Sequence, residues 1–190
     1  PHGALSASCT LTLVWGGPVT ALVDTGGPWE RDLLPQLLGA QGVALGDVTH
    51  VIVTHGHSDH VGNLNLFPGA AQLVGFDLSR GHGVFLPHGL ARGVPLPLDP
   101  PHLEVVPTPG HTRAHVGLVV RGTELGTVVV AGDLFEREGD EEEWGALSED
   151  PQTHGRSRLE VLDVADVIVP GHGPPFRVFR DPPSGDGGDN

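Results

Sequence analysis

The segment 55–60, which reads His-Gly-His-Ser-Asp-His, constrains this chain more than any other feature. It directly follows the apolar run 48–54, which is the strongest strand candidate in the sequence. A sharp loop at the end of a strand can direct His55 and His57 toward one metal-binding position. It can direct Asp59 and His60 toward a neighbouring position. Neutral imidazoles and a carboxylate suit zinc, iron or manganese, and the absence of thiolates argues against a structural cysteine site. The metal-binding candidates here are His55, His57, Asp59 and His60.

Three further segments repeat this arrangement at the ends of apolar runs. They read Pro-Gly-His-Thr at 109–112, Ala-Gly-Asp at 131–133 and Pro-Gly-His-Gly at 170–173. Each places one metal-binding side chain beside glycine, which permits a sharp change of backbone direction. Because chance enrichment explains four such segments poorly, the sequence predicts that several strand ends converge at one sheet edge. The added candidates are His111, Asp133 and His172.

The remaining pattern predicts strands in two batches, with one helix early and one late. This favours mixed sheets with helices outside them rather than a simple parallel array. Residues 77–102 show little periodicity and predict a long loop, which in a compact domain is typically functional or disordered. The predicted strands cover 9–15, 19–24, 48–54, 103–107, 115–121, 127–131 and 166–170, and the predicted helices lie at 29–39 and from Asp150-Pro151 onward.

The glycine and proline content bears on the domain organisation. The 29 Gly and 18 Pro would suit disorder, but an apolar fraction of 38% is enough to build a core. We therefore predict one domain over 1–180 with many turns, followed by a disordered tail at 181–190. Cys9 is the single cysteine, so no intrachain disulfide can form.

The charge balance limits the partners. Ten arginines, no lysine and 24 acidic residues give a net charge of -14, which repels phosphate backbones and anionic membranes. No apolar stretch approaches the ~20 residues that span a bilayer, so no membrane partner is expected. A bound cation could still invert the local sign of an acidic site.

These motifs resemble those of the metallo-β-lactamase fold superfamily, in order and approximate spacing, over nearly the whole chain. The resemblance implies an α+β (mixed α/β) fold, a four-layer αββα sandwich with the metal site at one edge of the two sheets. It assigns His55, His57 and His111 to one metal and Asp59, His60 and His172 to the other. Asp133 would bridge the two ions, and Asp24 in Leu-Val-Asp-Thr-Gly would orient a ligand from behind.

Two details indicate the type of enzyme within the superfamily. The bridging position holds Asp133 instead of the cysteine of many true β-lactamases, and His60 follows Asp59, which completes a second site. Both features look like the binuclear hydrolases of the glyoxalase II and ribonuclease Z type. The implied cofactors are two divalent metal ions, with zinc favoured and iron or manganese compatible. Such a pair lowers the pKa of a shared water, and Asp59 and Asp133 are the predicted catalytic residues.

Longer stretches, such as 22–29, 126–133 and 167–177, resemble one member of the superfamily that processes RNA. That resemblance implies an endoribonuclease acting in 3′-end processing of replication-dependent histone pre-mRNA, as a homodimer, in the cytoplasm and nucleus. The residues expected to contact substrate are Arg80, His88, Arg92 and Arg113.

Two other functions stay open. A glyoxalase II-like hydrolase of thioesters or related acyl bonds would need no basic channel, and the 77–102 segment would close over its substrate. A non-enzymatic metal-binding module would use the acidic run 136–150 for docking, although such a run is usually a solvated face. His88 and His115 are spare proton-donor candidates, whereas we expect solvated side chains for His2, His50, His82, His102 and His154.

Overall fold

Residues 6–180 are described by a computed structural model, in which two six-stranded mixed sheets form the body of the chain. In the first sheet the strands follow chain order, and the three strands β2, β3 and β4 are parallel neighbours. Its strands are β1 (Thr12–Val14), β2 (Ala21–Val23), β3 (His50–Val53), β4 (Ala71–Val74), β5 (Asp77–Arg80) and β6 (Val84–Phe85).

The second sheet has the order β12-β11-β10-β9-β8-β7. Its strands pair antiparallel except for β10 and β11, which are parallel. Its strands are β7 (Leu96–Asp99), β8 (Leu103–Pro107), β9 (Val116–Thr123), β10 (Gly126–Gly132), β11 (Val167–Pro170) and β12 (Phe176–Arg177).

Within residues 6–180, three α-helices accompany the sheets: α1 (Leu34–Ala40), α2 (Ser58–Val61) and α3 (Pro151–Val164). Five short 3-10 helices lie at Pro28–Glu30, Leu45–Asp47, Leu64–Leu66, Leu90–Arg92 and Trp144–Leu147. No helix within residues 6–180 has the length and apolarity needed to cross a membrane.

Three apolar clusters join these elements into layers. The central cluster fills the space between the sheets, with Ile52 of β3 and Leu118 of β9 each 1% exposed or less. A second cluster packs α1 against the outer face of the first sheet, and a third packs α3 against the outer face of the second. The order of layers is therefore helix, sheet, sheet, helix, which confirms the predicted αββα sandwich.

The predicted strands are confirmed with small shifts of their ends, and the β1–β2 hairpin is present. The long loop predicted over 77–102 is wrong, because this segment forms β5, β6, a 3-10 helix and β7. Leu90 from its middle is 1% exposed and belongs to the central core. Strand β4 was not predicted. The tail at 181–190 and His2 lie outside the described residues, so neither prediction about them is tested.

Helix α3 begins as predicted at Asp150-Pro151. The Asp150 carboxylate accepts a hydrogen bond from the Thr153 N–H at 3.0 Å, which satisfies one unpaired donor of the first turn. Asp150 lies outside the core, whereas His154 one turn later is 0% exposed, so the solvated position expected for His154 is wrong. Its Nε2 lies 3.0 Å from the Leu134 carbonyl oxygen, which ties α3 to the segment after β10.

The acidic run 136–150 is only partly a solvated face, because Glu136 and Asp140 are buried. Asp140 is 1% exposed and accepts hydrogen bonds from both terminal nitrogens of Arg158 on α3, at 2.5 and 2.9 Å. The guanidinium also lies 4.1 Å from the centroid of the Phe135 ring and donates to the Leu134 carbonyl. This buried ion pair fixes the loop after β10 against α3, so the run does not form one continuous docking surface.

Arg158→Ala tests the structural role of this pair. Since it leaves the Asp140 carboxylate buried and unpaired, we expect a loss of about 3–5 kcal/mol in the free energy of unfolding, measured by urea denaturation. Arg156→Ala, on the exposed side of the same helix, is the matched control and should change stability by less than about 0.5 kcal/mol. Equal losses for both variants would contradict the assignment.

Candidate metal centre

Polar side chains from both sheets meet at one edge of the sandwich. His55 follows β3 in the first sheet, whereas His111, Asp133 and His172 follow β8, β10 and β11 in the second. The parallel strands β10 and β11 end at the same edge, so Asp133 and His172 emerge side by side. The hydrogen bond from the Val116 N–H to the Thr54 carbonyl, at 2.9 Å, joins the two sheets there. The predicted convergence of strand ends is therefore present.

The first cluster contains three imidazoles and one carboxylate. His57 Nδ1 lies 2.9 Å from His55 Nε2 and 3.3 Å from His111 Nε2. Asp133 Oδ2 lies 3.3 Å from His111 Nε2 and 3.5 Å from His55 Nε2. All four ligand atoms lie within 4.8 Å of one another.

The second cluster lies on the other side of Asp133. Asp133 Oδ1 is 3.1 Å from His60 Nε2, and Asp133 Oδ2 is 3.3 Å from His172 Nε2. Asp59 Oδ2 closes the group at 3.7 Å from His60 Nε2 and 3.8 Å from His172 Nε2. The Asp133 carboxylate thus contacts imidazoles of both clusters.

These distances are compatible with divalent metal ions held between the side chains. Two atoms bound about 2.0–2.2 Å from one tetrahedral ion lie roughly 3.3–3.6 Å apart. The distances here run from 2.9 to 3.8 Å and bracket that spacing. His60 Nε2 and Asp133 Oδ1 are buried without a hydrogen-bond partner although they are 3.1 Å apart. A buried polar atom that is left unpaired is costly, and metal coordination would satisfy both atoms. The donor set therefore fits two metal ions, one on each side of Asp133.

Asp24 contacts His60 on the side of the ring that faces away from the second cluster. Its Oδ2 lies 2.8 Å from His60 Nδ1, which leaves His60 Nε2 facing the cluster. Asp24 is held in turn by the backbone N–H of Thr54, which donates to Oδ1 at 2.8 Å. Asp24 adopts a φ of 61°, a left-handed conformation that non-glycine residues rarely take. The orienting position predicted for Asp24 agrees with this geometry.

Burial and neighbouring charge move the pKa values of the histidines in opposite directions. Burial lowers the pKa of His111 to about 4 and lowers that of His55 further, which keeps both imidazoles neutral. Burial also acts to lower the pKa of His60, but the carboxylates of Asp133 and Asp24 outweigh it and raise that pKa to about 10. The hydrogen bond to Asp133 raises the pKa of His172 to about 9. Without metal, the second cluster therefore holds protons at neutral pH.

Several residues at the centre were missed or misplaced by the sequence analysis. His115 is 0% exposed, with its ring stacked 5.2 Å from that of His55 and its Nδ1 2.8 Å from Thr108 Oγ1, so it is not an accessible proton donor. Glu136 is 8% exposed and lies beside the cluster, where burial and Asp133 raise its pKa to about 7. The only sign in the sequence that Glu136 belongs to the site is its position three residues after Asp133. The many other acidic residues of the run 136–150 make that sign hard to recognise.

The four residues predicted to contact substrate do not all lie together. Arg80 pairs with Ala71 at the beginning of β4, level with the first residue of β3, so it lies at the opposite end of the sheet from the cluster. Its assignment to the substrate site is wrong. His88 and Arg92 lie in the segment before β7, where His88 Nδ1 accepts the Leu90 N–H. Arg113 lines a cavity of about 420 Å³ that also includes His57.

The family follows from a sequence match that covers these motifs. The family model described as the metallo-beta-lactamase superfamily matches residues 7–172, a span that contains every residue of both clusters. The chain belongs to the metallo-beta-lactamase superfamily. Together with the donor set, this identifies it as a hydrolase fold with a candidate centre for divalent metal ions.

Three known proteins illustrate the similarity. The chain is 59% identical to the human protein named "Metallo-beta-lactamase domain-containing protein 1", over 100% of this chain and 71% of that protein. It is 33% identical to a hydroxyacylglutathione hydrolase of Acaryochloris marina, over 63% of this chain and 47% of that enzyme. The crystal structure of a metallo-beta-lactamase family protein from Thermus thermophilus superposes with a TM-score of 0.66 at 26% identity, over 90% of this chain and 70% of that one.

Metal binding should release protons at neutral pH. The pKa values of His60 and His172 lie above 7, so a metal ion must displace a proton from each, and about two protons per chain should appear in solution. Affinity should consequently fall as the pH is lowered through the pKa values of His60, about 10, and His172, about 9. Calorimetry of zinc binding in buffers of different ionisation enthalpy counts the protons. Binding without proton release would contradict this account of the second cluster.

Proposed function

We propose that this protein is a binuclear metal-dependent hydrolase and that its substrates are RNA phosphodiesters. The observation that supports hydrolase activity is the position of Asp133. Its carboxylate lies within 3.5 Å of imidazole nitrogens of both clusters. A carboxylate so placed can hold two cations a few ångströms apart.

The residues divide between the two ions by geometry. His55, His57 and His111 would hold the first ion, and Asp59, His60 and His172 would hold the second, with Asp133 between them. When bound, the ions lower the pKa of a water molecule to near neutrality and stabilise negative charge that develops on the substrate.

The chain's own residues orient the reaction. Asp59 lies in the first turn of α2 with its side chain 15% exposed, so its carboxylate oxygens can accept a proton at the surface of the cluster. Asp133 is buried behind it with a side chain 5% exposed, which suits holding ions rather than exchanging protons. His57 is exposed, so a substrate would approach from its side. His60, which would hold the second ion, is kept in place by Asp24.

Two exposed side chains support RNA as the substrate. Arg113 is exposed beside His57 and can neutralise a phosphate in a protein that is otherwise strongly acidic. Trp29 is 64% exposed in the 3-10 helix that closely follows Asp24, where an indole can stack on a base. From the sequence resemblance, we propose replication-dependent histone pre-mRNA as the specific substrate. The same resemblance suggests that the protein acts as a homodimer in the cytoplasm and nucleus.

Cleavage of a labelled single-stranded RNA tests this proposal. We expect cleavage by the zinc-loaded protein and its loss, by at least about 100-fold, in Asp133→Ala, because that variant removes a ligand from both ions. Asp163→Ala, at an exposed position on α3, is the matched control and should cleave at the wild-type rate. Continued cleavage by the Asp133 variant would show that a contaminating nuclease is responsible.

A second candidate is hydrolysis of thioesters or related acyl bonds. It is favoured by the similarity to a hydroxyacylglutathione hydrolase and by a second cavity, of about 650 Å³, that shares Arg113 with the cavity at His57. Its walls include the apolar side chains of Leu90, Val119 and Val161, which suit an acyl chain better than a nucleotide.

A panel of acyl thioesters separates the two candidates. If RNA is the substrate, thioester turnover should be far slower than RNA cleavage under the same metal and pH conditions. Turnover of any thioester well above the RNA rate, and lost in Asp133→Ala, would reverse the ranking while leaving the binuclear hydrolase intact.

A further inference from the structure

Two buried polar atoms next to the metal centre lack hydrogen-bond partners and face each other. One is Nδ1 of His111, whose side chain is 4% exposed, and the other is Oε1 of Glu136, whose side chain is 10% exposed. They lie 3.7 Å apart. This exceeds the upper hydrogen-bond distance of about 3.2 Å by about 0.5 Å, so the two side chains must approach by that amount for a hydrogen bond to form.

The chemistry of His111 explains why this neighbour matters. His111 directs Nε2 toward His57 and Asp133, so Nε2 is the nitrogen available to a metal ion. A neutral imidazole carries one proton, and when Nε2 binds a metal the proton must reside on Nδ1. A buried N–H without an acceptor is costly, and metal-binding histidines regularly donate this second N–H to a carboxylate or carbonyl.

We propose that Glu136 is a positioning residue for the metal centre, which accepts the Nδ1–H of His111 and so fixes the tautomer and ring orientation of this ligand. The role parallels that of Asp24 behind His60, so each cluster has one carboxylate behind one of its histidines. The inference rests on the proposed binuclear centre but not on the identity of the substrate.

The backbone around Glu136 is held firmly enough for this role. Its N–H donates to Asp140 Oδ2 at 2.8 Å, and its carbonyl accepts the His172 N–H at 2.9 Å. Asp140 is in turn fixed by the buried Arg158. The carboxylate of Glu136 therefore approaches His111 from a segment that is anchored to α3 on one side and to the segment after β11 on the other.

Glu136 could instead be a direct metal ligand, because its Oε2 lies 3.9 Å from His172 Nε2 and Glu136 groups with Asp133 and His172. The two roles make different demands on the side chain. A positioning residue needs only an acceptor oxygen, which glutamine also has, whereas a ligand bound by its charge is poorly replaced by a neutral amide.

Zinc affinity, measured by competition with a chromophoric chelator, tests the proposal without any substrate. Glu136→Leu should weaken binding of one of the two ions by about 10- to 100-fold, and Glu136→Gln should retain most of the affinity. Glu138→Leu, at an exposed acidic position two residues on, is the matched control and should bind zinc as the wild type does. Wild-type affinity in Glu136→Leu, or equal losses in the Leu and Gln variants, would overturn the proposal.

A double-mutant cycle locates the effect at His111. In a His111→Ala background Glu136→Leu should cause no further loss of affinity, whereas in a His172→Ala background its effect should persist. The reverse pattern would assign Glu136 to the second cluster and overturn the role argued here.

A third measurement requires no variant that could fail to fold. In the zinc-loaded wild-type protein, the imidazole nitrogen–proton spectrum should show a slowly exchanging Nδ1–H for His111, shielded from solvent by its hydrogen bond. A His111 ring that carries no proton on Nδ1 in the loaded protein would contradict the proposal.

Discussion

The carboxylate of Asp133 is the contact on which the rest of the site depends. Its two oxygens lie within 3.5 Å of nitrogens from four imidazoles. Three of those imidazoles follow different strands and the fourth lies in the short helix α2, so both sheets must end at one place for the contacts to form. The four are His55, His60, His111 and His172.

Small residues make room for that carboxylate. A Cβ at Gly171 would lie 1.9 Å from Asp133 Oδ1, and one at Gly132 would lie 2.7 Å from Thr54 Oγ1. Gly132 also adopts a φ of 54°, in the region that favours glycine. Close approach at the sheet edge therefore requires glycine at positions 132 and 171.

The sequence predicted the candidate metal-binding residues because their signal is local. The ligands lie in short segments that contain glycine and follow apolar runs, and such patterns can be recognised without knowing the fold. The layered architecture came from the family resemblance that those motifs carry. Strand β4 and the hairpin of β5 and β6 were not recognised, since these strands have only two to four residues.

The supporting residues could not be predicted because their burial is a property of the tertiary structure. His154, Asp140 and Glu136 look like surface residues in sequence, and each is buried in the folded chain. Arg80 shows the converse error, because proximity along the chain to a functional segment does not say at which end of a strand a side chain will lie.

The central claim is that two metal ions lie on either side of the Asp133 carboxylate. Anomalous X-ray diffraction from crystals of the zinc-loaded protein, recorded on both sides of the zinc absorption edge, tests it most directly. The account predicts two zinc peaks per chain, one among His55, His57 and His111 and the other among Asp59, His60 and His172. A single peak, or two peaks that do not share Asp133, would contradict it.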